Sequence, residues 1–313
     1  MKFKAKTVLA KLETEYGVDA GPINTDGVQT KNLQINPYTG NTISRDLDRE
    51  TLGAQEQINV NPHVEVSFDV ELAGSGTAGT APAFGSLLRA CGFSETINDL
   101  TDVTYTPKSD GFESVTLYYL QRNDAGGFQQ QAVTGCRGSV SFNVDRSGMP
   151  VMSFTFLGFY EKPTDVAAIT VDRSAFIDPV YVSKDNTTLT FGAYAAKASA
   201  FSVDISNETS MRSVTGARYV NIADRAPSGQ TTIDAPALAT KDFYALVESH
   251  DGTTTEAVTL THGTLAGNIV EIKAPSAQFT TLSHTDSDGE LAYQLGMSFL
   301  PLNGNDEIVL TFK

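Results

Sequence analysis

The chain carries the residue types that do chemistry, but at spacings that do not suit it. Gly74-Ser75-Gly76-Thr77-Ala78-Gly79 lies between a strand pattern and a helix pattern, where glycine-rich backbone can cradle a phosphate. A phosphate loop needs a Lys and then a Ser or Thr after its last glycine; here Thr80-Ala81-Pro82 follows. Asp286-Ser287-Asp288-Gly289-Glu290 alternates oxygen ligands but falls short of the roughly twelve-residue calcium loop, and it reads as a hairpin turn. His63, His250, His262 and His284 are too dispersed to share a metal-ligand spacing. Cys91 and Cys136 are too few for a disulfide framework, stand in no nucleophile motif, and read as small buried hydrophobes. Glu65, Asp69 and Glu71 fall on one face of a strand and could line water, a channel or a cleft, with nothing to mark a raised pKa. The expectation is a protein with no catalytic group, no cofactor and no metal.

The elements that place these residues are mostly strands. Val64, Val66, Phe68, Val70 and Leu72 alternate with polar residues, so His63–Leu72 is a strand with one dry face. A helix is expected over 82–91, opened by Pro82, striped by Leu87, Leu88 and Cys91, and ended by Gly92. Further strands are expected at 103–107, 114–122, 128–133 and 138–144. The very apolar Val151–Tyr160 should be a central one. Residues 1–22 read as a mixed segment in which Val8, Leu9 and Leu12 form either one helical turn or a strand, with an irregular arm around Gly21-Pro22 and Asp26-Gly27; Gln29–Asn36 reads as a strand and Pro37-Tyr38-Thr39-Gly40 as a turn. Asn41–Gln57 is polar and charged and reads as a long exposed arm.

The order of strand, Gly-Ser-Gly-Thr-Ala-Gly elbow and Ser86-Leu87-Leu88-Arg89-Ala90-Cys91-Gly92-Phe93 resembles the tail tube proteins of long-tailed bacteriophages with non-contractile tails. Tyr105-Thr106-Pro107, Thr134-Gly135-Cys136-Arg137-Gly138, the Ser139–Tyr160 hairpin and Leu9–Gly17 extend the likeness over most of the first half. The resemblance implies a mainly β fold and a structural subunit that polymerises into stacked rings around a channel for DNA. Its N-terminal arm would reach a neighbouring subunit or ring. The arm at 41–57 would lie on the next ring and line the channel, with Arg45, Asp46, Asp48, Arg49, Glu50 and Glu56 as its contact residues. Partners would be the chain itself and other tail proteins (tape measure, tail tip, terminator). The setting would be a virion tail assembled in the bacterial cytoplasm.

The second half repeats the order of the first. Phe201–Asn207 stands for Leu33–Asn36, and Glu208–Arg225 is a second arm carrying Arg212, Arg218, Asp224 and Arg225. Gly229–Asp234 stands for Val64–Leu72. A helix over 239–249, with Thr240 as N-cap and Phe243, Leu246 and Val247 on one face, stands for 82–91. Leu291–Leu300 mirrors Val151–Tyr160. The expected organisation is two tandem tail-tube-type β-sandwich or barrel domains, 1–163 and 189–313, joined by a linker at 164–188. Each has one short bracing helix and a long projecting arm. If tubes of this kind carry six domains per ring, three such chains close one.

Composition agrees. The 313 residues suit about two domains. The net charge of −15 argues against a general nucleic-acid binder and suits either plain solubility or a channel along which DNA passes without sticking. Thr7–Leu12 is too short and charged for a leader's apolar core, and no apolar run approaches a membrane span, which points to a cytosolic setting. The competing readings are a two-domain sugar- or protein-binding decoration module, disfavoured by the absence of Trp, and a type VI secretion tube subunit, normally single-domain.

Overall fold

The computed structural model describes residues 2–313. The first half runs β1 (Lys6–Leu12), β2 (Gly27–Val28), β3 (Lys31–Ser44), β4 (Gln57–Glu71), α1 (Gly85–Ala90), β5 (Phe93–Asn98), β6 (Asp102–Pro107), β7 (Val115–Arg122), β8 (Phe128–Asp145), β9 (Val151–Tyr160) and β10 (Thr164–Val166). The second runs β11 (Thr187–Phe191), β12 (Tyr194–Ala196), β13 (Ala198–Asp204), β14 (Asn207–Val214), β15 (Ala217–Arg225), β16 (Ser228–Asp234), α2 (Phe243–Val247), β17 (Thr255–His262), β18 (Val270–Ser287), β19 (Glu290–Phe299) and β20 (Val309–Phe312). The protein is mainly β, as its alternating patterns require, with two short helices.

Strand pairing follows one order in both halves. In the first it is β3-β4-β9-β8-β7-β1, and in the second β13-β16-β19-β18-β17-β11, antiparallel throughout. The small strands match too: β2 lies on β1 as β12 lies on β11, and β10 on β8 as β20 on β18. The halves are joined by two strand pairings. Ser141–Asp145 of β8 pairs with Ala200–Asp204 of β13, and β20 also pairs with Val103–Tyr105 of β6. A single apolar cluster runs through both, including Phe68, Phe154 and Phe156 in the first half and Phe191, Phe243 and Phe279 in the second.

Several local expectations give way to tertiary pairing. Pro37–Gly40 is not a turn; β3 runs through it, and the ladder absorbs the proline as irregularities between Asn36 and Asn41. Of the two readings of Val8, Leu9 and Leu12, the strand is the one formed: β1 pairs with β7 along its whole length, with Val8 and Leu9 buried. Helix α1 starts three residues after Pro82, whose carbonyl accepts from Gly85 N in a preceding turn. Helix α2 is five residues, and its cap is Asp242, not Thr240: the Asp242 carboxylate accepts from the N–H groups of Tyr244 and Ala245. β9 is central, paired on both edges, but only one of its faces is buried.

The braces are apolar. Leu87, Leu88 and Cys91 are buried beneath α1, and Phe243 of α2 packs edge-on against Phe191 and Phe279. Leu246 and Val247 pack half-buried on the same cluster. Both cysteines are free and buried, and burial pushes both thiols well up.

Candidate assembly surfaces

The residues that might have been catalytic are occupied otherwise. Gly76 N donates to Gly267 O and Gly74 N to the Asn268 side chain, so the glycine elbow docks on a turn of the second half. A Cβ on Gly74 would run into the Gly267 carbonyl, which explains the glycine there. His262 is buried, with Nδ1 2.8 Å from Thr187 Oγ1 and Nε2 3.1 Å from Val180 O, and burial lowers its pKa. His284 stacks on Tyr293 and bonds Tyr244. Among the described residues no group of His, Cys, Asp or Glu could hold a metal ion, and no helix is long and apolar enough to cross a membrane.

What the fold presents instead is a sheet with two open ends. Strands β3-β4-β9-β8-β13-β16-β19-β18 form one continuous antiparallel run across both halves. One face is the core: Val64, Val66, Phe68, Phe154, Val140, Phe142, Phe201, Ile233 and Leu295 are buried. The other carries Ser139, Ser141, Asn143, Ser153, Thr155, Ser202, Gln230, Thr232 and Gln294, together with Glu65, Asp69, Glu71, Asp145, Asp204 and Asp234. Asp69 accepts from Asn32 and Ser153, both at 2.7 Å, Glu65 accepts from Asn36 at 2.8 Å, and Lys31 is ion-paired with Glu71. At one end, residues 31–36 of β3 pair only with β4. At the other, residues 279–287 of β18 pair only with β19.

The two hairpins placed alike in the two halves differ in surroundings. The first is the outer part of β3 and β4 with the loop at 45–56. Arg45, Asp46, Asp48, Arg49, Glu50 and Glu56 are all exposed on it, as are Ile43, Leu47, Leu52 and Ile58. Ile43 and Ile58 are cross-strand partners, and Gln55 holds the loop by exchanging two hydrogen bonds with the Leu47 backbone. The second hairpin, β14–β15, does not project freely but folds down on the first half. Arg137 reaches it: its guanidinium donates to Phe112 O (2.6 Å), Glu113 O (3.3 Å) and Val220 O (2.9 Å), and lies 4.5 Å over the Tyr16 ring. Val220 N donates to the Tyr16 hydroxyl at 2.6 Å, and Asn207 Nδ2 donates to Cys91 O and Gly138 O. Val220 is fully buried.

The residues expected on the second arm divide accordingly. Arg218 bonds the Pro62 carbonyl and lies over Phe159, while Arg225 pairs with Glu307 at 3.0 Å and bonds Lys108 O, so both tie hairpin to body. Arg212 and Asp224 stay exposed. Sequence reasoning missed Arg137, Tyr16 and Asn207. No local signal marks them: β8 mixes Gln, Thr, Ser and Asn with its apolar residues, so Arg137 is one more polar side chain there.

Beside these sits one charged cluster with a shifted carboxylate. Arg89 donates to both oxygens of Glu113, at 2.9 and 2.5 Å, and holds that carboxyl below its usual range. Glu95, on the same arginine, accepts from the Tyr105 hydroxyl, which burial pushes far up. This is a fastening of α1 to its sheet, not an acid–base pair facing a cleft.

No curated protein matches the sequence. The family model described as phage tail tube protein matches residues 4–311, nearly the whole chain, which agrees with the β-rich architecture and the resemblance read from its motifs. The chain therefore belongs to the phage tail tube protein family and is a structural component of a virion tail.

Proposed function

We propose that this tail tube subunit closes into rings of three chains, each supplying two tandem domains (1–163 and 189–313, with 164–188 between), and that the rings stack around a channel that passes DNA. The observation that carries this is the β8–β13 junction. It joins the first repeat to the second through two particular strand edges, and the same two edges lie open at the ends of the eight-strand run. By the shared pairing order, β3 corresponds to β13 and the outer part of β18 to that of β8. Residues 32–36 of one chain would then pair with 283–287 of the next, Asn32 opposite Ser287 and Asn36 opposite Ser283, as Ala200 lies opposite Asp145 and Asp204 opposite Ser141. Such a head-to-tail contact closes a ring and removes the exposed edges.

The polar face of the run then lines the channel. Its carboxylates, Glu65, Asp69, Glu71, Asp145, Asp204 and Asp234, repel phosphate, and its neutral hydroxyl and amide side chains offer only weak contacts, so DNA slides without specific binding. The exposed arm, with Arg45, Asp46, Asp48, Arg49, Glu50 and Glu56, reaches the adjacent ring. Six strand residues per side at about 3.4 Å each carry its loop about 20 Å outward. Arg212 and Asp224 present the second hairpin's exposed side to the same neighbour. Tape measure, tail tip and terminator proteins meet the column inside and at its ends, and assembly takes place in the host cytoplasm without a membrane.

Negative-stain microscopy with mass photometry tests this: three-chain rings or tubes are expected, and Ile35→Pro or Asp286→Pro, whose N–H groups face the open edges rather than β4 or β19, should abolish them while leaving the monomer folded. Six chains per ring would refute the two-domain closure. A persistent monomer that binds a glycan would favour the decoration module instead.

A further inference from the structure

Resting on the reading that copies of this chain assemble, the geometry points to the docking place of the exposed arm: a cavity at the junction of the halves, which we propose receives the Leu47–Leu52 tip of a second copy. The first half supplies the comparison. At the β1–β2 corner, the segment after β10 lies across the strands. Asp172 N donates to Asn24 O, Val171 packs on Gly27, and Arg173 donates to the Thr7 hydroxyl at 2.6 Å and to Val28 O at 3.4 Å. The matching corner of the second half is fixed by register. Val8 pairs with Val28 and Tyr119, as Leu189 pairs with Ala196 and Leu260. Thr7, Gly27 and Val28 therefore correspond to Thr188, Ala195 and Ala196.

Those three residues are not covered by any such segment. They line a cavity of about 540 Å³ that opens to the surface, floored by Leu189, Phe201 and Leu260. A space of that size holds more than one aliphatic side chain. The charged residues lining it are Arg146, Lys184 and Lys197, all basic, in a chain whose net charge is −15. Arg146 already pairs with Asp288 at 2.6 Å. The occupant should therefore be apolar at its tip and acidic at its flanks.

The arm answers both requirements. Leu52 is wholly exposed and Leu47 about half, and Asp46, Asp48, Glu50 and Glu56 flank them against Arg45 and Arg49. Burial of the leucines removes apolar surface from water, and the flanking carboxylates meet the basic rim. The contact is heterologous, arm to cavity, so it propagates from copy to copy.

Cysteine cross-linking tests it, because Cys91 and Cys136 are buried and silent. Full-length Leu52→Cys mixed with full-length Ala198→Cys should give a disulfide-linked dimer on mild oxidation, and the double variant a covalent ladder. A control pairing Leu52→Cys with Thr254→Cys, on a distant loop, should give at least tenfold less. Lys197→Glu should slow cross-linking about tenfold, and Asp48→Lys in the arm partner should restore it. Multimers seen by mass photometry without the cross-link, or equal cross-linking to the control, would overturn the docking and leave the assembly reading intact. Neither multimers nor cross-link would overturn both.

Discussion

The two hairpins occupy the same place in the two repeats and have opposite fates. One stands clear of the body with exposed aliphatic and charged side chains. The other is held down by Arg137, Tyr16, Asn207, Arg218 and Arg225. The difference lies in what each hairpin finds beside it. For β14–β15 the neighbour is the first half of its own chain, already present at the β8–β13 junction; for the first hairpin, the matching neighbour is not in the chain. Residues that would be interface between copies in one repeat have become interior in the other.

That contrast can be broken from the latched side. Arg137→Ala leaves three carbonyls without their cationic donor and should cost on the order of 3 kcal/mol in denaturant unfolding, with new protease cleavage near Thr215. Asn207→Ala removes the amide shared by Cys91 O and Gly138 O and should cost about 1–2 kcal/mol by the same measurement. His262 sharpens the picture, since it fastens the segment between the repeats to β17. Its folded pKa lies below the ordinary 6.5, so the unfolded chain binds the extra proton. Its contribution is complete above pH 6.5 and declines as pH falls below that, by at most about 1.4 kcal/mol per pH unit. His262→Gln should flatten this part of the stability profile, as followed by thermal melts across pH. The smallest effect belongs to the free hairpin: replacing 45–56 by a short glycine-serine turn should change monomer stability by no more than about 0.5 kcal/mol. In sedimentation the same variant should fail to form stacked assemblies.

Legibility in the sequence followed the range of the forces. Strands such as β4 and β8 were readable because one buried face forces alternation, and both helices were found through their apolar stripes. Helix ends were misplaced because Thr240 and Asp242 are both good caps, and only the chain's path decides which carboxylate or hydroxyl meets the free N–H groups. Pro37–Gly40 has turn chemistry, yet the pairing of Asn36 with Glu65 and of Asn41 with Val60 on either side overrides it. The latch was invisible: Arg137 and Val220 are 83 positions apart, and neither has a local signature. The glycine elbow is legible as a small-residue turn, but the close approach to Gly267 and Asn268 that its small residues serve lies nearly 200 positions away and is not.

Strand β20 has a consequence in time. Phe312 packs edge-on against Phe84 and Tyr105, and β20 completes the β6 edge of the first half. A ribosome must add about 200 residues after β6 before that strand emerges, which at roughly 5–20 residues per second takes about 10–40 s. Until then the first half carries an unfilled aromatic niche and an unpaired edge. A nascent or truncated chain therefore exposes an apolar niche and a strand edge that the finished chain covers with its own last residues.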